Sequence, residues 1–137
     1  MIAPSNTGYL LLFRSNDWHL DLSREELQKA INQNRAWIEQ LAAQGKVRAA
    51  QPLARNGGRV SGRNGRIVSD GPFAEAKEVV GGYFLLDAGT MEEAITVAQS
   101  CPSLAQGASI EVRPLTDECP LSAREGELAR AEQLAAA

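Results

Sequence analysis

"GYFLLDAGTMEEAI" occupies residues 82–95, and its reading decides the fold. The run "GYFLLD" (82–87) has the length and composition of a buried strand. Directly after it, "TMEE" (90–93) puts Thr90 where a helix cap belongs and Glu93 where it can reach back. The same pair of signals stands earlier in the chain. "GYLLLF" (8–13) is a second apolar run opened by glycine-tyrosine, and "SREE" (23–26) repeats the capping-box arrangement with Ser23 and Glu26.

Each helix start leads to a helix and then to another strand. In the first, Leu27, Ile31, Asn34, Ile38 and Leu41 recur at steps of four and three, which draws one inward stripe, and Gly45 follows as a stop. The second is shorter, with Ala94, Ile95, Ala98 and Cys101 on its inner side and Pro102 at its end. The strands that follow are "KVRAAQPL" (46–53) and "SIEVRPL" (109–115). Between the two copies, "GRVSGRNGRIV" (58–68) reads as a hairpin turning at "GRNG".

Strand–helix–strand therefore occurs twice, around a hairpin. That order predicts an α+β, ferredoxin-like plan, a mainly antiparallel sheet with both helices on one face. Residues 1–115 form the single expected domain, and 116–137 a linker followed by a helical tail from residue 122. The runs at 8–13 and 82–88 are apolar on both sides, so the face away from the helices also needs cover. A homodimer packed sheet against sheet is the expected solution.

The balance of charge narrows the functions. With 137 residues and a net charge of −3, the chain has no general nucleic-acid footprint. Its bunched arginines (Arg55, Arg59, Arg63, Arg66) are interrupted by glycine and asparagine, as in a solvated hairpin. Cys101 and Cys119 lack metal-ligand spacing, and His19 is the one histidine, so no metal site is expected. Nor does any segment call for a cofactor. No charged-then-apolar leader opens the chain and no apolar run approaches membrane-spanning length, which sets a cytoplasmic protein with reduced thiols as the expectation.

"SDGPFAEAKEVVGGYFLLDA" (69–88), together with "GYLLLF" and "CPSLAQGASIEVRPL" (101–115), resembles the DGPF-type branch of the YCII-related family. The resemblance implies a dimeric α+β barrel. It also implies an association with extracytoplasmic-function sigma factors, beside which members of this branch are often encoded. Some relatives in the wider group are lyase-type enzymes using a histidine on the first helix and an aspartate near the second. Aligned on "NRAWIEQLAAQGK" (34–46) and "AQSCPS" (98–103), Asn34 and Cys101 stand at those positions. Asparagine does not titrate near neutral pH, so that catalytic pair does not transfer.

Four residues are candidates for ligand contact. Asn34 lies inside the stripe of the first helix, either as a structural amide or pointing into a pocket between helix and sheet. Trp37 neighbours that stripe. Asp70 is the candidate functional carboxylate, although Asp-Gly-Pro also makes a turn and Asp70 can cap a helical turn through "PFAEAKE". Phe73 can anchor the same loop. His19, flanked by Asp17 and Asp21 in a loop, is the weak catalytic candidate beside Asp70.

Three functions follow: a homodimer binding a small molecule between helices and sheet, a lyase- or hydrolase-like enzyme with Asp70 as acid or base and His19 assisting, or an interaction module for sigma-factor-dependent transcription.

Overall fold

A computed structural model describes residues 8–15, 17–71 and 79–136, with Asp70 and Gly71 described as backbone. Two βαβ units are present, as the repeat predicts. The first comprises β1 (Gly8–Ser15), α1 (Arg24–Ala43) and β2 (Val47–Pro52); the second comprises β5 (Val79–Asp87), α2 (Met91–Gln99) and β6 (Ser109–Pro114). Between them lies the hairpin of β3 (Gly57–Ser61) and β4 (Ile67–Gly71), and a third helix, α3 (Pro120–Ala136), follows β6.

The sheet runs in the order β2-β5-β1-β6, with every neighbour antiparallel. Each βαβ unit thus spans a gap that one strand of the other unit fills. This is the ferredoxin-like topology expected from the sequence. The hairpin is a separate two-stranded sheet, with Gly62 and Gly65 at φ 88° and 69° and the Gly65 amide donating to the Gly62 carbonyl at 3.1 Å. Positive φ is why glycine brackets "RN" here.

Local signals set the helix ends. At the start of α1 the Ser23 hydroxyl accepts from the Glu26 amide at 3.1 Å, and the Glu26 carboxylate accepts from the Ser23 amide at 2.9 Å. At its end the Gly45 amide donates to the Ala42 carbonyl and the Lys46 amide to the Leu41 carbonyl, with Gly45 at φ 70°. These two bonds make a Schellman stop. Thr90 caps α2 in the same way as Ser23, whereas Glu93 reaches the Gly89 amide instead of completing the box on Thr90.

One face of the sheet carries the core. Tyr9 lies opposite Leu86 and Leu11 opposite Phe84, and all four pack with Trp37 and Leu41 of α1 and with Ala94, Val97 and Ala98 of α2. Leu11 and Leu86 are fully buried, each contributing roughly 1.5–3 kcal/mol by removal from water.

The stripe of α1 is turned relative to the expectation. Ala30, Trp37 and Leu41 are buried and Asn34 is half-buried, while Ile31 and Ile38 remain 46% and 37% exposed. The broad indole takes the centre of the interface and the isoleucines fall to its flank. On α2, Val97 replaces the exposed Ile95 as the inward residue.

The opposite face of the sheet is left without a helix layer. Leu10 and Leu12 of β1 alternate with the core residues of that strand, as do Tyr83 and Leu85 of β5, and all four are half-buried. At its edge Glu111 lies 3.9 Å from Arg14 and 4.0 Å from Arg113, a loose surface arrangement on β6 and β1. No residue of α3 is buried.

Candidate functional site

The site is set by a missing side chain and a bulge. Phe13 pairs with Gly82, but the next residue, Arg14, pairs with Val80, so Gly81 is an extra residue in β5. Bulges of this kind re-aim the side chains beyond them. Gly82 lies where a Cβ would stand 2.9 Å from the Gln51 carbonyl oxygen and 3.3 Å from the Pro52 Cα. Only glycine permits this approach of β5 to β2. It also leaves open space on the core face across from Phe13.

That space is an open-sided chamber of about 440 Å³ between α1 and the sheet. Phe13, Trp37 and Phe84 form its aromatic wall: Trp37 stacks on Phe84 at 5.4 Å, and Phe13 meets Phe84 edge-on at 4.7 Å. Ile38, Ala50 and Pro52 extend the apolar lining. Aromatic contacts of this geometry add to area burial and keep the wall rigid.

Polar groups converge on one side of the chamber. Asn34, Cys101 and Ser103 all line it. Ser103 belongs to a 3₁₀ segment, Pro102–Gln106, that follows α2 and was read from sequence only as a helix stop. Its hydroxyl donates to Asn34 Oδ1 at 3.1 Å. The amide oxygen of Asn34 is thereby engaged, and its NH₂ group supplies the donors. Trp37 is held in place by its indole N–H, which donates to Ser100 Oγ at 2.7 Å, while that hydroxyl donates to the Val97 carbonyl at 2.6 Å.

Cys101 is buried and caps the 3₁₀ segment. Burial pushes its thiol up, against the backbone amides of Ser103 and Leu104 that pull the other way. Burial prevails, and the group stays a neutral thiol at neutral pH. Desolvation is thus what keeps the thiol inert, despite the amides at the sulfur.

Beside the chamber lies a second cavity of about 430 Å³, a vestibule at the end of the sheet. The two share Phe13, Gly81 and Ser103. Unlike the chamber, the vestibule is charged: Arg14, Asp17, His19 and Arg55 line it, with Trp18. Asp17 sits at φ 65°, an uncommon conformation for a residue with a side chain, and forms an ion pair with Arg55. His19 is exposed, within the 3₁₀ segment Trp18–Asp21, and meets Trp18 edge-on at 6.1 Å.

Of the sequence candidates, Asn34 and Trp37 come together in the chamber, and His19 falls in the neighbouring vestibule. Asp70 lies on β4 opposite Gly58, in the hairpin sheet, and its side chain is outside the described part. Phe73 and the helical turn expected through "PFAEAKE" also lie outside the described residues. Sequence reasoning missed Ser103, whose signal was its place two residues after Cys101 in "CPS".

The profile of the YCII-related domain matches residues 7–118, spanning β1 through β6 and so the whole of both cavities. The chain belongs to the YCII-related family. An uncharacterised protein of Rhizobium meliloti (strain 1021) is 44% identical over 50 residues, which is 36% of this chain and 40% of that protein. The chain thus spans less than half the length of this curated relative. Among solved structures, the 5-chloro-2-hydroxyhydroquinone dehydrochlorinase of Burkholderia phenoliruptrix AC1100, in complex with 2,5-dihydroxybenzoquinone, is 15% identical with a TM-score of 0.42, covering 80% of this chain and 95% of that one. In this YCII-family chain, Asn34 and Cys101, the positions aligned with the histidine and aspartate of some relatives, both face the chamber. Among the described residues no cluster of three metal-ligating side chains occurs, and no helix is long and apolar enough to cross a membrane.

Proposed function

We propose that this YCII-family protein is a homodimer that binds a small apolar molecule in the chamber. The observation that carries the reading is the lining itself. Aromatic and aliphatic side chains line the chamber, and the Asn34–Ser103 pair supplies directed polar contacts. A few placed polar groups in an apolar cavity are what small-molecule recognition requires. Among the described residues, the chamber is lined by no carboxylate, histidine, lysine or arginine. Binding of an apolar molecule is the function this lining supports best. The homodimer part rests on Leu10, Leu12, Tyr83 and Leu85, which give the second sheet face its apolar character. Native mass spectrometry of the purified protein tests both parts. A dimer carrying a small molecule, lost when Ala50→Phe fills the chamber, supports the reading. A ligand retained by Ala50→Phe removes the chamber from it.

A second reading, in which α3 docks on another protein, draws on that helix burying nothing and leaving Leu121, Leu128 and Leu134 exposed. Leu121 and Leu128, seven residues apart, share a face. A pull-down with the sigma factor encoded nearby, using the full chain and a chain ending at residue 115, tests this. Equal recovery by both chains removes α3 from the interaction.

A further inference from the structure

Asn34 brings a direction to the chemistry of the chamber. It precedes Trp37 and Ile38 by one turn of α1, and residues three and four apart share a helix face, so all three border the same space. Asn34 lines the chamber and not the vestibule. An amide side chain carries one acceptor oxygen and two N–H donors. The oxygen is occupied, because the Ser103 hydroxyl donates to it at 3.1 Å. The Nδ2 group meets no acceptor among the described residues. No polar side-chain atom of the described residues is buried without a partner, so Nδ2 stays reachable from the space that Asn34 lines. The other polar neighbours compete little. Gln51 lies opposite Tyr83, whose side chain belongs to the bare face of the sheet, so both side chains turn away from the chamber. Cys101 holds a neutral thiol, a weak donor. Across from Phe13, Gly82 has no side chain, which leaves a slot beside the stacked Trp37 and Phe84 rings.

We propose that the ligand is a flat, uncharged ring compound bearing a carbonyl oxygen, with the ring against Trp37 and Phe84 and the oxygen accepting from Asn34 Nδ2. This rests on the chamber being the binding site and adds the class of ligand. A charged group would lose water there without an ion partner, since no charged side chain among the described residues lines the chamber. A neutral carbonyl needs only a donor, and Nδ2 supplies it. Ser103 acts as a positioning residue: by holding Oδ1 it leaves the N–H donors for the ligand.

The test is a heteronuclear NMR titration of the full chain with 1-indanone and with indane, which share a ring skeleton and differ by the carbonyl. The expected result is binding of both, with the ketone about fivefold tighter. Both probes should move the Trp37 indole N–H resonance, and the ketone alone should move the Asn34 side-chain NH₂ pair downfield. Asn34→Asp is nearly isosteric and still accepts from Ser103, but it offers no NH₂ group at neutral pH. In that variant and in Asn34→Leu the ketone preference falls to within about twofold or reverses; Ser103→Ala keeps part of it. The dispersion of each spectrum reports that the variant is folded. Equal affinity of the wild type for the two probes, with Trp37 shifted by both, overturns the carbonyl class and leaves the chamber reading standing. A preference that survives in Asn34→Asp and Asn34→Leu overturns the role of Asn34. Binding of neither probe, or binding that leaves Trp37 unmoved, overturns the chamber reading and this inference with it.

Discussion

The Ser103 hydroxyl donates to Asn34 Oδ1 at 3.1 Å, joining the middle of α1 to the segment after α2 across 69 positions of sequence. This bond fixes the Asn34 amide on the chamber wall with its donors available. Asn34→Ala is expected to lower stability by about 1 kcal/mol and to weaken ligand binding. Ser103→Ala should have a similar effect on stability, and the double variant should cost less than the sum. A double-mutant cycle from urea melts measures that coupling, and strict additivity would show that the bond carries no energy.

Gly82 is the second structural requirement of the chamber. Any Cβ there meets the backbone of Gln51 and Pro52 in β2, which cannot move aside as a side-chain tip could. Gly82→Ala is expected to destabilise the fold by about 1–3 kcal/mol and to weaken binding by shifting the chamber floor. Gly81→Ala, with nothing within 4 Å of its Cβ, is the matched control. Chemical denaturation of the two variants separates the effects.

The two thiols should differ sharply in reactivity. Cys119 is exposed, while Cys101 is buried with its thiol pushed up by desolvation. A thiol reagent at pH 7 should titrate one cysteine per native chain and a second only on unfolding. The pH dependence has a definite sign. The Cys101 pKa is raised in the folded state, so its contribution to stability is full below the ordinary thiol pKa and is lost as pH rises towards the folded value. Cys101→Ala should flatten that alkaline loss.

The start of α1 tests the local logic of the fold. Ser23→Ala removes the hydroxyl that accepts from the Glu26 amide and should cost about 1 kcal/mol. The Ser23 backbone and hydroxyl hold the Glu26 carboxyl below its ordinary value. A depressed carboxyl contributes stability above its unfolded pKa that is lost as pH falls through the folded pKa. The acid limb of a stability profile should therefore be shallower in Glu26→Gln than in the wild type.

Much of this architecture was legible because it is local. The Gly-Tyr runs, the caps at Ser23 and Thr90 and the stop at Gly45 each involve residues a few positions apart. The chamber was legible only in part. Asn34 showed itself as an amide within an apolar stripe, but the stripe could not say that Trp37 would displace Ile31 and Ile38 from the interface. That outcome depends on Phe84 and Phe13, which arrive from other strands. The bulge at Gly81 and the backbone contact at Gly82 depend on register between β5 and its neighbours, which no single strand encodes. Ser103 looked like part of a loop because Pro102 signals a stop, and the same proline opens the 3₁₀ segment that aims its hydroxyl.

The bare sheet face makes the last prediction. Leu12 and Tyr83 lie opposite each other on adjacent strands, as do Leu10 and Leu85, so the four form a contiguous apolar patch in the centre of the sheet. Glutamate at the centre of such a patch would have to be buried in a sheet-to-sheet dimer, at a cost far exceeding that of leaving it in water. Leu85→Glu is therefore expected to shift the protein to monomer in sedimentation equilibrium at micromolar concentration, with the far-ultraviolet spectrum preserved. Ile95→Glu, on the exposed outer side of α2, is the control that should leave assembly unchanged. A wild type that sediments as a monomer removes the dimer outright. A Leu85→Glu dimer of wild-type stability would place the interface on another surface.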